Sequence, residues 1–242
     1  MALDEALMAR ARRTGEHVLR VYAWSAPTLS LGRNQRASGV YLTDELERRG
    51  IGVVRRPTGG RALLHHREVT YSVTAPCAAD MGLAAEYGRI NLLLRRALEA
   101  LGVRVDVAAP ESRSAPPSAI PCFAEPARGE LIFDGRKLVG SAQWRHDGAL
   151  LQHGSILVDD DQASIPSLMR ERPPLALSGR PATLRDALGR APVLHEVAEA
   201  LFAAVRANLD PEALPLAQEE ALTRDTERLA TRFRDDTWTW RR

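Results

Sequence analysis

The sequence predicts an α+β domain whose second half is an antiparallel sheet. Three observations carry this. Asp134-Gly135 and Asp147-Gly148 are two-residue turn signals, each flanked by strand-like runs, and adjacent hairpins pair their strands antiparallel. Residues 69–74 alternate in the period-2 manner of a strand, with Val69, Tyr71 and Val73 on one face. Helical patterns occur together with these adjacent hairpins, so an α+β domain and not a doubly wound sheet is expected.

Taken in order, residues 2–13 read as an amphipathic helix, and 18–24 and 28–31 as strands split by Ser25-Ala26-Pro27. Thr43-Asp44 offers an N-cap to a short helix that closes at Gly50. Segments 51–56, 62–65 and 69–74 follow as successive strands. Tyr87, Ile90, Leu94, Leu98 and Leu101 then recur at helical spacing up to Gly102, which marks them as core rather than site positions. Segment 108–121 is rich in Ala, Pro and Ser and is expected to be a long mobile loop. Beyond about residue 160 the chain is expected to be helical, with 194–209 and 216–233 the best candidates.

At 242 residues and 45% hydrophobic composition the chain can bury one sizeable core, and one main domain is expected. The formal net charge of +2 gives no reason to expect a nucleic-acid-binding surface. The opening residues include Asp4 and Glu5 and no uninterrupted apolar run, and no later run approaches the length of a membrane span. A soluble, cytoplasmic protein without membrane association is the expectation. Cys77 and Cys122 are too few for a disulfide framework and lack paired metal-ligand spacing, so each reads as a single thiol and no metal is expected.

Among 33 basic residues Lys137 is the single lysine. A chain that uses arginine everywhere else but keeps one ammonium there points to a need for a compact charge; drift toward arginine that spared one lysine is the bland alternative. Arg55-Arg56-Pro57-Thr58-Gly59-Gly60-Arg61 forms a second cluster. Paired glycines let a backbone approach a ligand closely, although Gly-Gly alone is more often a plain hairpin turn between strands. The cluster lacks the Gly-Lys-Ser/Thr ending of a nucleotide-binding loop. A third cluster is Pro121-Cys122-Phe123, fifteen positions before Lys137. A nearby cation favours the nucleophilic thiolate of a cysteine, so the two side chains could act together; a small buried apolar residue is the bland reading for Cys122 and fits Cys77 better. Gln152-His153-Gly154-Ser155 puts a glycine in an apolar strand, where a ligand or a neighbouring backbone comes close, while a lone His153 is more often a satisfied structural histidine.

Four segments in this order, Leu29-Ser-Leu-Gly-Arg-Asn-Gln35, Arg55-Arg-Pro-Thr-Gly-Gly60, Gly135-Arg-Lys-Leu-Val-Gly-Ser-Ala-Gln143 and Leu151-Gln-His-Gly-Ser-Ile156, resemble the lipoate-protein ligase and octanoyltransferase catalytic domain family. Within it the chain looks most like the cysteine-dependent octanoyltransferases, because Arg61 stands where ATP-using ligases typically carry a third glycine and because Cys122 sits in Pro-Cys-Phe. The resemblance implies a twisted, mixed, largely antiparallel sheet flanked by helices, as in biotin and lipoate protein ligases and class II aminoacyl-tRNA synthetase-like domains. It implies one catalytic domain over residues 1–242 with a helical C-terminal segment and no accessory ligase domain.

The chemistry so implied is transfer of octanoyl from an acyl carrier protein to Cys122, then to a lysine ε-amine of a lipoyl domain, either the glycine-cleavage H protein or an E2 subunit of a 2-oxoacid dehydrogenase. No cofactor is implied. Lys137, which matches the family's lysine, would assist Cys122 and hold the acyl carbonyl. Arg56, Thr58, Gly59, Gly60, His65, Ser141, Gln143, His153 and Gly154 would line the acyl site. The alternatives are an ATP-dependent lipoate ligase, in which Lys137 meets an acyl-adenylate and Cys122 is incidental, and a non-catalytic acyl-binding module.

Overall fold

A computed structural model describes residues 1–78, 82–109, 121–172 and 179–241. The first helix, α1 (Ala2–Thr14), has Asp4 and Glu5 in its first turn and Arg12 and Arg13 in its last, charges that complement its dipole, and Gly15 closes it in the left-handed conformation. Strands β1 (Val18–Tyr22) and β2 (Thr28–Leu31) follow, then α2 (Thr43–Arg48). Thr43 is the first helical residue of α2 and Leu42 the cap, so the expected N-cap is displaced by one position. Next come β3 (Gly52–Arg55), β4 (Leu63–His65), β5 (Glu68–Pro76) and α3 (Leu83–Ala100). Strands β6 (Asp106–Val107), β7 (Leu131–Phe133), β8 (Arg136–His146) and β9 (Ala149–Leu157) complete the β-structure of the described residues.

Six strands form one sheet in the order β1-β5-β9-β8-β7-β6. Every pairing in it is antiparallel. Both predicted hairpins are present: Asp134 and Asp147 adopt positive φ (51° and 48°), as do the glycines after them, the conformation that a two-residue turn joining twisted strands requires. A second, three-stranded sheet has the order β3-β2-β4, with β2 and β3 parallel. This makes the β-structure mixed and largely antiparallel. It also overturns the hairpin reading of the Gly-Gly segment: β4 pairs with β2 and not with β3, so residues 56–62 cross over the end of β2.

The larger sheet is covered on one face by α3 and by α5 (Leu194–Asn208), whose Ile90, Leu94, Leu98, Val197 and Leu201 bury against Val69, Tyr71, Val139, Leu150 and Ile156. On its other face α1 supplies Met8 against Ala149 and Leu151. The region after residue 160 is helical as expected but more broken, with a 3-10 helix at Gln162–Leu168, then α4 (Leu184–Leu188), α5, α6 (Glu220–Arg234) and α7 (Asp236–Thr239). The helix expected from residue 216 starts at Glu220. The expected loop at 108–121 lies, between 110 and 120, outside the described residues. No helix among the described residues is long and apolar enough to cross a membrane.

Candidate active site

The crossover 56–62 is built around Arg56. Its guanidinium is buried, and it donates through Nε and Nη2 to the Gly59 carbonyl, through Nη1 to Ser30 Oγ and the Ser30 carbonyl, and through Nη2 to the Arg61 carbonyl, at 2.7–3.1 Å. Burial lowers its pKa from the usual arginine value, opposed by the negative charges of Cys122 and Tyr41 in their ionised forms. With its donors so committed, Arg56 shapes the loop more than it grips a ligand. Gly60 takes φ 96°, and a Cβ on Gly32 would overlap the Gly60 carbonyl, so the loop after β2 and the crossover touch backbone to backbone. The fully buried Arg55 holds this junction by donating to the Gly32 carbonyl at 2.6 Å and the Gln35 carbonyl at 2.8 Å.

Cys122 is anchored to the same crossover, its N–H donating to the Ala62 carbonyl at 2.9 Å. The next residue, Phe123, buries with Leu63 and Leu157 and holds the turn in place. Lys137 enters from β8. Its ammonium Nζ lies 3.4 Å from Cys122 Sγ, donates to the Cys122 carbonyl at 2.9 Å and pairs with Glu130 Oε1 at 2.7 Å. Only 2% of the Lys137 side chain is exposed, so a lone ammonium there would be costly. Burial pulls its pKa down, but the negative charges of a Cys122 thiolate and of Glu130 outweigh burial and raise it above the usual lysine value. Glu130 is fixed in turn by the Ala127 N–H, which donates to Oε2 at 2.7 Å.

The remaining predicted residues come together around these groups. His153 Nε2 and Thr58 Oγ1 share a hydrogen bond of 2.6 Å. Burial, opposed by Asp4 and assisted by Arg56, pushes the His153 pKa down to about 3, so the imidazole is neutral near pH 7 and serves as a hydrogen-bond partner, in line with the structural reading of a lone histidine. His65 is held between Ser30 Oγ at 2.9 Å and Glu68 Oε1 at 3.0 Å, with Trp24 stacked on its ring. Ser141 Oγ meets Tyr71 Oη at 2.7 Å, and Tyr71 Oη accepts from Gln152 Nε2 at 3.0 Å. The Gln143 amide contacts that of Gln152 at 2.9 Å.

These side chains surround a cavity of about 410 Å³, within the range of small-molecule sites. Every predicted site residue lines it except Thr58, which lies behind His153. Cys77, assigned to the core, is buried away from it. Sequence reasoning missed Glu130, which lines the cavity and carries the countercharge of Lys137, and the Tyr71–Gln152 pair behind Ser141. The one signal for Glu130 was a carboxylate placed immediately before an apolar strand, seven residues from the only lysine.

Gly154 faces Tyr71 and Gly140 across two strands. A Cβ there would lie 2.7 Å from Tyr71 Cε1 and 2.8 Å from Ser141 Oγ, and closer still to the Gly140 carbonyl. Gly154→Ala is therefore expected to destabilise the fold by about 1–3 kcal/mol through overpacking, read as a lowered urea midpoint. An unchanged midpoint would mean that β8 and β9 separate freely to admit a methyl group.

The fold and this site define the chain as a member of the lipoyl protein ligase A/B catalytic domain family, whose model matches residues 1–206. Within that family it is similar over its full length to Octanoyltransferase LipM of Kyrpidia tusciae, 38% identical with 100% of this chain and 94% of that protein covered. Octanoyltransferase LipM of Staphylococcus aureus is 34% identical at the same coverage. Among solved structures, lipoate-protein ligase A bound with ATP superposes with a TM-score of 0.81 at 21% identity, covering 99% of this chain and 92% of that one. The bi-partite lipoate protein ligase of Thermoplasma acidophilum superposes with a TM-score of 0.80 at 22% identity, covering 99% and 89%. At these identities the structural likenesses bear on the fold alone.

Proposed function

We infer that the protein is an octanoyltransferase of lipoate assembly that works through a thioester on Cys122. The thiolate attacks the thioester carbonyl of an octanoyl acyl carrier protein, a C–S bond to Cys122 forms, and the carrier's thiolate leaves. A lysine ε-amine of a lipoyl domain, from the H protein or an E2 subunit, then attacks the octanoyl-enzyme carbonyl; an N–C bond forms, the C–S bond breaks, and the amine's proton ends on the Cys122 sulfur. One thioester is exchanged for another and then falls to a more stable amide, so ATP has no part in it.

The observation that carries this reading is the 3.4 Å approach of a buried ammonium to Cys122 Sγ on the wall of the cavity. Lys137 supplies the positive charge that the thiolate and, later, the oxyanion require. Gly59, Gly60 and Gly154 line the acyl site, with open space beside Gly59 where a side chain would stand, Ser141 and Gln143 bound the reacting end, and Arg56, Thr58, His65 and His153 hold the walls. Relatives named Octanoyltransferase LipM that align along the whole chain support the same reaction.

The test is to incubate the purified protein with octanoyl carrier protein without ATP and record its intact mass. A gain of one octanoyl group, removed by hydroxylamine, is expected. Absence of the adduct, with acylation of a lipoyl domain only when ATP and free octanoate are added, would overturn the transferase reading in favour of a ligase.

A further inference from the structure

The Cys122–Lys137 pair has a third member that changes what happens after the first acyl transfer. In the resting site the buried Lys137 ammonium lies between the Cys122 sulfur at 3.4 Å and the Glu130 carboxylate at 2.7 Å. Once acylated, that sulfur can carry no negative charge, because it is part of a thioester. The other neighbours of the ammonium are the Cys122 carbonyl at 2.9 Å, the ring of Phe123 at 5.0 Å and the Glu130 carboxylate at 2.7 Å. Carbonyl and ring are neutral, so Glu130 is the anion left to hold the proton on a side chain sealed from water.

We propose that Glu130 is a positioning residue for the second half-reaction, keeping Lys137 protonated in the octanoyl-enzyme so that its ammonium can meet the oxyanion formed when the acceptor amine attacks. This rests on the thioester reading of Cys122. Glu125 lines the same cavity but is exposed to solvent, and among the described residues the ion pair of Lys137 is with Glu130. Arg56 is itself cationic and lies close enough to Cys122 to interact with its charge. His153 is neutral above about pH 3. Tyr71 is pushed up to about 12 by burial, and Tyr87 is raised further by the same cause, so both face the site as neutral phenols. The Ala127 N–H on Oε2 leaves Oε1 of Glu130 aimed at Nζ, which fixes the geometry before the substrate arrives.

The experiment separates the two half-reactions. Octanoyl carrier protein loads Cys122, the octanoyl-enzyme is isolated, and a lipoyl domain is added in single turnover across pH 6 to pH 10. For Glu130→Gln, loading is expected to change by less than about threefold while transfer slows by about tenfold or more at pH 8, and the alkaline limit of transfer falls by about one pH unit, because Lys137 now loses its proton earlier. Glu130→Asp, which keeps the charge, is expected to retain the parent's alkaline limit, and it decides the matter should the glutamine variant fail to fold. Equal slowing of loading and transfer with an unmoved limit in Glu130→Gln, or a limit displaced in Glu130→Asp, would overturn the role. A parent protein that never loads would instead overturn the thioester reading.

Discussion

Cys122→Ala is expected to abolish the covalent octanoyl adduct and to cut transfer to a lipoyl domain by about 10³-fold or more, the scale seen when a nucleophile is removed from a site that works as a unit. The reasoning is chemical. Alanine leaves the cavity, Lys137 and the Gly59-Gly60 loop in place but offers no atom able to form the acyl-enzyme. The amine would then have to attack the carrier's thioester directly, held only by binding. Cys122 is half-buried beside Phe123 and Leu63, so its truncation removes little packing and the variant should fold. Transfer from octanoyl carrier protein in the absence of ATP is the measurement; near-parental turnover by Cys122→Ala would sink the covalent mechanism.

Lys137→Met is expected to have two separable consequences. Transfer should fall by about 10²–10³-fold, the usual scale for losing one preorganised group that stabilises an oxyanion. Stability should fall by about 3–5 kcal/mol, because Glu130 is left as a buried carboxylate without its cation. The second variant, Lys137→Met with Glu130→Leu, distinguishes them: removing both charges should restore most of the urea midpoint, since a buried pair replaced by apolar groups is often neutral, while transfer stays low. Recovery of transfer in the double variant would show that Lys137 matters for folding and not for chemistry.

Much of the scaffold was legible because local signals and tertiary structure agree. The Asp134-Gly135 and Asp147-Gly148 turns need positive φ wherever they occur, and the spacing of Ile90, Leu94 and Leu98 fixes a buried helical stripe regardless of partner. Cys122 and Lys137 were legible as a pair through the singularity of the lysine and the motifs around them. Glu130 was not, because its approach to Lys137 depends on the β7–β8 register, in which Ile132 faces Lys137 and Leu131 faces Val139 across an irregularity. Nor was the path of the Gly-Gly segment: a hairpin and a crossover share the same glycines, and the choice is made by β2, which lies in sequence before either strand. Arg55 and Arg56 look alike in sequence. Packing decides that one clamps the loop after β2 from within the core and the other spans the crossover beside the cavity.

Arg55 also ties the cavity to the far end of the chain. Its Nε donates to the Thr239 carbonyl at 2.9 Å, and Trp238 Nε1 donates back to the Arg55 carbonyl at 2.9 Å. Arg10 pairs with Glu219 at 2.6 Å, and Glu5 pairs with Arg232, joining α1 to α6. Contacts that span so much of the chain are made late and slowly. On the ribosome, then, the Gly-Gly loop is synthesised early but must wait for residues 219–239 to emerge from the exit tunnel before it can be clamped. A nascent chain stalled before residue 219 would hold Cys122 and Lys137 without the buttress that braces the loop beside them, so the thiol should acquire its finished surroundings only after residues 219–239 have emerged.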